Sequence, residues 1–143
     1  MNVFKETVGF NLMKLCKGYF NALNARLNQL DLYEGQDHLL RRLWEEDGLG
    51  QAELTRRLGV EPASVSKALE RMEKGGLVTR RPSPDDARAN QIYLTERGRS
   101  LEQPVTEAWE AVEAQLLAHM TPEERLLLRR LLLQMRDNLK SAE

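Results

Sequence analysis

From Glu6 to Leu30 the apolar residues Val8, Leu12, Leu15, Cys16, Tyr19, Phe20, Leu23, Leu27 and Leu30 recur in steps of three and four, the spacing of one face of an α-helix. After a turn around Asp31 to Gly35, a second helix carries His38, Leu39, Leu40, Leu43 and Trp44 until Asp47-Gly48-Leu49-Gly50 stops it. A short third helix is expected over Gln51 to Leu58, with Gly50 as N-cap, Glu53 placed to reach back as in a capping box, and Gly59 as terminator. A fourth runs from Pro62 to Lys74. Proline is tolerated in the first turn because its missing N–H would be unpaired there anyway, Val65, Leu69 and Met72 mark the buried face, and Gly75-Gly76 ends the helix.

The period then changes from helical to alternating. Leu77 to Arg81 and Gln91 to Leu94 read as two antiparallel strands joined by a polar turn from Pro82 to Asn90. Thr95 caps a further long helix, stepping through Leu101, Val105, Trp109, Val112 and Leu116. At Thr121-Pro122-Glu123-Glu124 a capping hydroxyl, a first-turn proline and a glutamate three residues after the cap coincide, so the last helix begins there. Its leucines at 126, 127, 128, 131, 132, 133 and 139 cover more than one stripe, too wide for a single neighbour within the chain, and imply a second subunit. The fold class is mostly α with a small β-hairpin.

Composition narrows the chemistry. A chain of 143 residues is the size of one domain, and its single cysteine excludes an internal disulfide. Cys16, His38 and His119 match no zinc-ligand spacing, so no metal site and no cofactor are expected. The N-terminal stretch lacks a basic flank feeding an apolar run, and no window reaches the ~18 apolar residues of a membrane span. The expected setting is the reducing cytoplasm, with no membrane partner. Asp85 and Asp86 fall on an exposed turn, where neither carboxylate is desolvated enough for acid–base work. No catalytic residue is assigned and no enzyme is expected.

The net charge of −1 conceals polarity. Between Lys67 and Arg81 five basic residues meet two acidic ones, a balance of +3. From Leu101 onward five basic residues meet eight acidic ones, a balance of −3. A short helix, a glycine-containing turn, a second helix and a hairpin with a charged tip make a winged helix-turn-helix, in which the first helix braces the second for entry into the DNA major groove. The bland reading of the same charges is a solvated helix face with ordinary ion pairs. A second alternative is a helical dimer whose winged region binds protein.

The succession Gln51-Ala52-Glu53-Leu54-Thr55-Arg56-Arg57-Leu58-Gly59-Val60, Ser64-Val65-Ser66-Lys67 and Leu69 to Val78 resembles the core of the multiple-antibiotic-resistance regulator (MarR) family. Arg80 to Ala89, with Asp86-Ala87-Arg88, resembles that family's wing, and Leu94-Thr95-Glu96-Arg97-Gly98 resembles the segment leaving it. The resemblance implies a homodimer paired through a helical region at 1–32 and 101–143, with the winged helix-turn-helix at 33–100 straddling a pseudo-palindromic operator in double-stranded DNA. It implies a regulator, in the first instance a repressor, released by a small aromatic or lipophilic effector. Ala63, Ser64, Ser66 and Lys67 would meet bases or nearby phosphates, with Arg71 on the same helix; Gln51 and Thr55 would touch the backbone. Arg88 would enter the minor groove, and Asp86 would orient Arg88 or an adjacent arginine. Tyr33, His38 and Trp44 fall where the family's small-molecule pockets lie; the plain alternative is core packing for Trp44 and solvent exposure for His38. Cys16, three residues before Tyr19, matches the switch cysteine of the family's peroxide-sensing branch; its plain alternative is a small buried hydrophobe on an apolar stripe.

Overall fold

The computed structural model describes residues 3–140, so the outermost ends of the 1–32 and 101–143 region lie outside the described residues. A single 3₁₀ turn at Val3–Glu6 precedes α1 (Val8–Asn28), whose cap is Thr7: its hydroxyl accepts from the Phe10 N–H at 3.1 Å. The helix thus begins two residues later than the apolar period suggests. Then come α2 (Gln36–Glu45), a two-residue strand β1 (Leu49–Gly50), α3 (Gln51–Leu58) and α4 (Pro62–Lys74). They are followed by β2 (Val78–Pro82), β3 (Asn90–Leu94), α5 (Glu96–Ser100), α6 (Glu102–Leu116) and α7 (Pro122–Lys140).

Three details correct the expectations. The sheet has three antiparallel strands in the order β1-β3-β2, because Leu49 and Gly50 pair with Ile92 and Gln91; a two-residue strand is too short to show alternation. The helix capped by Thr95 is divided at Leu101 into α5 and α6. Pro104 is the reason: it has no N–H for the Ser100 carbonyl and its ring crowds that oxygen. Glu53 does not reach back to cap α3. Its carboxylate accepts from Arg56 and Arg57 within the same helix, and Gly50 caps with no side-chain bond.

Elsewhere the local signals act as expected. Gly59 closes α3 in the left-handed region at φ 63°, which a Cβ would disfavour. Thr121 and Glu124 form a reciprocal capping box, with the Thr121 N–H donating to Glu124 at 2.8 Å and the Glu124 N–H to Thr121 Oγ1 at 3.2 Å.

One core draws on α1 to α4, the three strands and α6. Leu23 and Leu27 of α1, Leu39, Leu40 and Leu43 of α2, Leu54 of α3 and Val65, Leu69 and Met72 of α4 are buried with Ile92 and Leu94 of β3 and Val105 and Val112 of α6. Each fully buried leucine contributes about 1.5–3 kcal/mol of transfer free energy. Polar ties fix the angles between elements. Trp44 Nε1 donates to the Gly98 carbonyl at 2.9 Å and stacks edge-on against Trp109, whose Nε1 donates to buried Asp37 at 3.0 Å. Asp47 accepts both the Leu94 N–H and the Arg99 guanidinium, each at 2.8 Å, and so binds the end of α2 to β3 and α5.

The apolar face of α1 is only half used. Leu23 and Leu27 are buried, whereas Val8, Leu12, Leu15 and Phe20 are exposed. No residue of α7 is buried, and Leu126, Leu127, Leu131, Leu132 and Leu139 all face outward.

Candidate nucleic-acid interface

The side chains of α4 divide by helical period. Val65, Leu69 and Met72 point into the core, while Ala63, Ser64, Lys67 and Arg71 are exposed and Ser66 is half-buried at the edge. Ser64, Lys67, Arg71 and Lys74 follow one another at steps of three, four and three, so they form one stripe along an outer face. Lys74 is paired with Glu70 at 3.2 Å. Among the described residues, Lys67 and Arg71 have no carboxylate partner. The helix starts with Pro62 behind Glu61, whose side chain makes no capping bond.

Behind α4, α3 supplies Gln51 and Thr55, both half-buried. The Thr55 hydroxyl donates to the Gln51 carbonyl at 2.9 Å, leaving its oxygen lone pairs to accept. Glu53 is held well below the usual carboxylate range, at about 2, first by the hydrogen bond from Arg56 and then by that from Arg57. Arg57 also pairs with Glu46 at 2.8 Å, so α3 is braced to the end of α2 by ions that are already engaged with one another.

The wing is paired from Val78↔Leu94 to Pro82↔Asn90, and its tip is tied by its own backbone. Ser83 N–H donates to the Ala89 carbonyl at 2.8 Å and Ala89 N–H to the Asp86 carbonyl at 3.1 Å. Asp86 Oδ1 accepts the backbone N–H of Arg88 at 2.9 Å, an Asx-type turn. Asp86 therefore shapes the chain carrying Arg88 instead of gripping its guanidinium. The Arg88 side chain is exposed, and no ion pair holds it among the described residues.

The HTH-type transcriptional repressor Rv2887 of Mycobacterium tuberculosis is 34% identical over 104 residues, which are 72% of this chain and 75% of that protein. The model of the MarR family matches residues 32–89. The chain belongs to the MarR family. The uncharacterized HTH-type transcriptional regulator YdgJ of Bacillus subtilis is 32% identical over 105 residues, 73% of this chain but 64% of that protein. A probable transcriptional regulator from Pseudomonas aeruginosa superposes with a TM-score of 0.80 at 27% identity, covering 92% of this chain and 98% of that one. A candidate MarR family regulator from Listeria monocytogenes, solved with 26mer DNA, superposes with a TM-score of 0.78 over 95% of this chain and 91% of its own. At 22% identity it shows the fold alone.

The residues that the MarR resemblance assigned to an effector do not share one cavity. His38 lines a cleft of about 490 Å³ between α2, α3 and α4, with Leu39, Leu58, Val65 and Ala68 as floor and Arg41, Arg42 and Arg57 at the rim. Tyr33 lines a second cleft, of about 540 Å³, with Gln36, Arg71, Lys74 and Arg97. Trp44 lines neither and is packed against Trp109. Cys16 is exposed on α1, which excludes the reading of a buried small hydrophobe within one chain. Tyr19 nearby is kept a neutral phenol above its ordinary range, chiefly by burial and then by the Glu113 and Asp37 carboxylates.

Sequence reasoning missed the cross-links that set the interface, namely Asp47, Gly98 and Arg80. Arg80 had a visible signal. Strand alternation puts it on the same face as buried Val78 and opposite Ile92. Asp47 and Gly98 had none, since their partners are 47 and 54 residues distant.

Proposed function

We propose that this MarR-family chain is a non-enzymatic, dimeric DNA-binding regulator, in the first instance a repressor, that straddles a pseudo-palindromic operator and releases it when a small effector binds. The observation that carries the reading is the outer stripe of α4, where Lys67 and Arg71 have no carboxylate partner among the described residues, beside a tied wing tip presenting Arg88. Ser64, Ser66 and Lys67 meet base edges or phosphates: hydroxyls bond to either kind of acceptor, and Lys reads guanine O6/N7. Ala63 lets the helix approach closely. Arg71 lies farther along the stripe, and Gln51 and Thr55 face the flanking backbone. The start of α3, uncapped by a side chain, leaves N–H groups suited to phosphate; at α4, where Pro62 has none and Ser64 donates to the Glu61 carbonyl, Ala63 supplies one. The DNA-bound Listeria protein shares this fold, which supports the docking mode without assigning a residue.

The dimer reading rests on α1 and α7. A 19-residue helix with no fully buried residue, only Leu128, Leu133 and Met135 half-buried, gains little from hydrophobic burial inside its own chain, and its outward leucines need a second copy. Residues 1–32 and 101–143 would then pair subunits while 33–100 carry the DNA contacts. Among the described residues no helix is long and apolar enough to cross a membrane, and no cluster of His, Cys, Asp or Glu could hold a metal. The His38 cleft beside α4 offers an aromatic or lipophilic effector an apolar floor within reach of the DNA-facing helix.

Titration of a duplex from the region upstream of the coding sequence, against a scrambled duplex, over a salt series tests the reading. Preferential binding that weakens linearly in log salt is expected. Equal or salt-indifferent binding contradicts it, and leaves the winged region to a protein partner. The exposure of Cys16 favours one further reading, a thiol switch on α1. If Cys16→Ser still lets DNA go on peroxide treatment, Cys16 is not that switch.

A further inference from the structure

We propose that Arg80 is a positioning residue that locks the wing to the recognition helix α4 and does not itself contact DNA; the inference rests on the DNA-binding reading above. By sequence Arg80 belongs to the cationic excess between Lys67 and Arg81. Its side chain is nevertheless only 21% exposed. From β2 its Nη2 reaches the Ser66 carbonyl in the body of α4 at 3.2 Å, and its backbone N–H donates to Glu73 Oε2 on the same helix at 3.1 Å. Its Nε, buried and without a hydrogen-bond partner, faces that carboxylate at 3.9 Å. Arg81, one residue on and on the opposite face of the strand, is exposed over the Tyr93 ring at 4.8 Å. Adjacent arginines thus have opposite duties, one outward and one inward.

The inward one joins the two DNA-facing elements. Ser66 belongs to the base-reading half of α4, and β2 is the root of the wing that ends in Arg88. The guanidinium hydrogen-bonds the Ser66 carbonyl and pairs with the Glu73 carboxylate at 3.9 Å, while the Arg80 backbone N–H holds Glu73 whatever the side chain; a lysine ammonium is a point charge on a flexible stem and cannot impose the same angle on the Ser66 contact. Specific binding requires α4 and the wing tip to be in register with two grooves at once, whereas non-specific binding depends on phosphate charge. Loss of the lock should therefore lower preference for the specific duplex while the salt dependence stays.

The test measures the upstream and scrambled duplexes over a salt series with wild type, Arg80→Ala, Arg80→Lys and Glu73→Ala. The expected result is a loss on the order of tenfold for the upstream duplex in both Arg80 variants, with scrambled binding and the log-salt slope unchanged. Glu73→Ala is the sharper case. It deletes an anion beside the interface, so electrostatics alone predicts tighter binding to both duplexes, while the lock predicts weaker binding to the upstream one. It also carries the test if thermal melting shows that Arg80→Ala does not fold. The inference is overturned if Arg80→Ala reduces the slope by about one and Arg80→Lys restores it, if the variants bind as wild type, or if Glu73→Ala tightens both duplexes. A wild type with no preference between the duplexes overturns the DNA reading itself and this inference with it.

Discussion

Lys67 lies on α4 and Arg88 in the turn at the wing tip, and among the described residues neither has a carboxylate partner. Each is therefore available to a phosphate or a base. If Lys67 reads a base, Lys67→Ala costs about 1–3 kcal/mol and relaxes preference at one position; if it meets a phosphate, binding weakens alike on all sequences and the salt slope falls by about one. Arg88→Ala should weaken upstream-duplex binding too, and wild-type affinity in both variants would refute these assignments. Glu53 makes a different prediction. Its carboxylate is held at about 2 by the hydrogen bonds from Arg56 and Arg57, below its ordinary 4.5. A depressed folded-state value stabilises the fold fully above pH 4.5, and that contribution is lost as pH falls towards 2. Glu53→Gln should lower the melting temperature at neutral pH, with the gap closing between pH 4.5 and 2; a gap independent of pH would contradict it. Residue types were legible in the sequence, but partners were not. The spacing from Gly50 to Glu53 fits a capping box, yet Arg56 and Arg57 stand one turn further on and compete for the same carboxylate with full charges.

At the scale of elements, the apolar period located every long helix, because a stripe that must be buried leaves its spacing in the sequence. It could not show β1, which has two residues, nor the break at Leu101, which follows from Pro104 and lies where the apolar steps from Leu101 to Leu116 begin. The packing of α5 depends on Gly98. A Cβ there would strike the Leu77 carbonyl and crowd Leu94, while the Gly98 carbonyl accepts the Trp44 indole. Overpacking at such a contact costs about 1–3 kcal/mol. Gly98→Ala should accordingly lower the denaturant midpoint in a chemical unfolding curve and loosen the wing, to which α5 is joined through Thr95; an unchanged midpoint would show that α5 can shift without cost. The recognition helix is clearer from sequence than its setting. Val65, Leu69 and Met72 fix which face of α4 is inward, and so expose Ser64 and Lys67, but the angle of α4 to the wing depends on Arg80, Ser66 and Glu73, which come together only in three dimensions.

The whole molecule is polarised twice. The stretch from Lys67 to Arg81 is cationic and the chain from Leu101 onward anionic, while α1 and α7 carry apolar surface that one copy leaves uncovered. Leu131 is among those uncovered residues. Leu131→Glu should convert a dimer to a monomer in sedimentation equilibrium and weaken binding to a two-site duplex more than to a single half-site. A wild type that sediments as a monomer would contradict the pairing. The excess of leucine in α7 was legible as too wide a stripe for one neighbour; which copy it meets and at what angle was not, because no pattern within one chain encodes a symmetry axis. In the proposed complex two copies place two α4 helices in successive major grooves on one face of a duplex, about 34–36 Å apart. Selection of bound duplexes from a random pool tests this most directly. Enrichment of an inverted repeat whose half-sites are centred about 10–10.5 base pairs apart is expected; recovery of no common sequence, or of one half-site without its mate, would refute the paired docking.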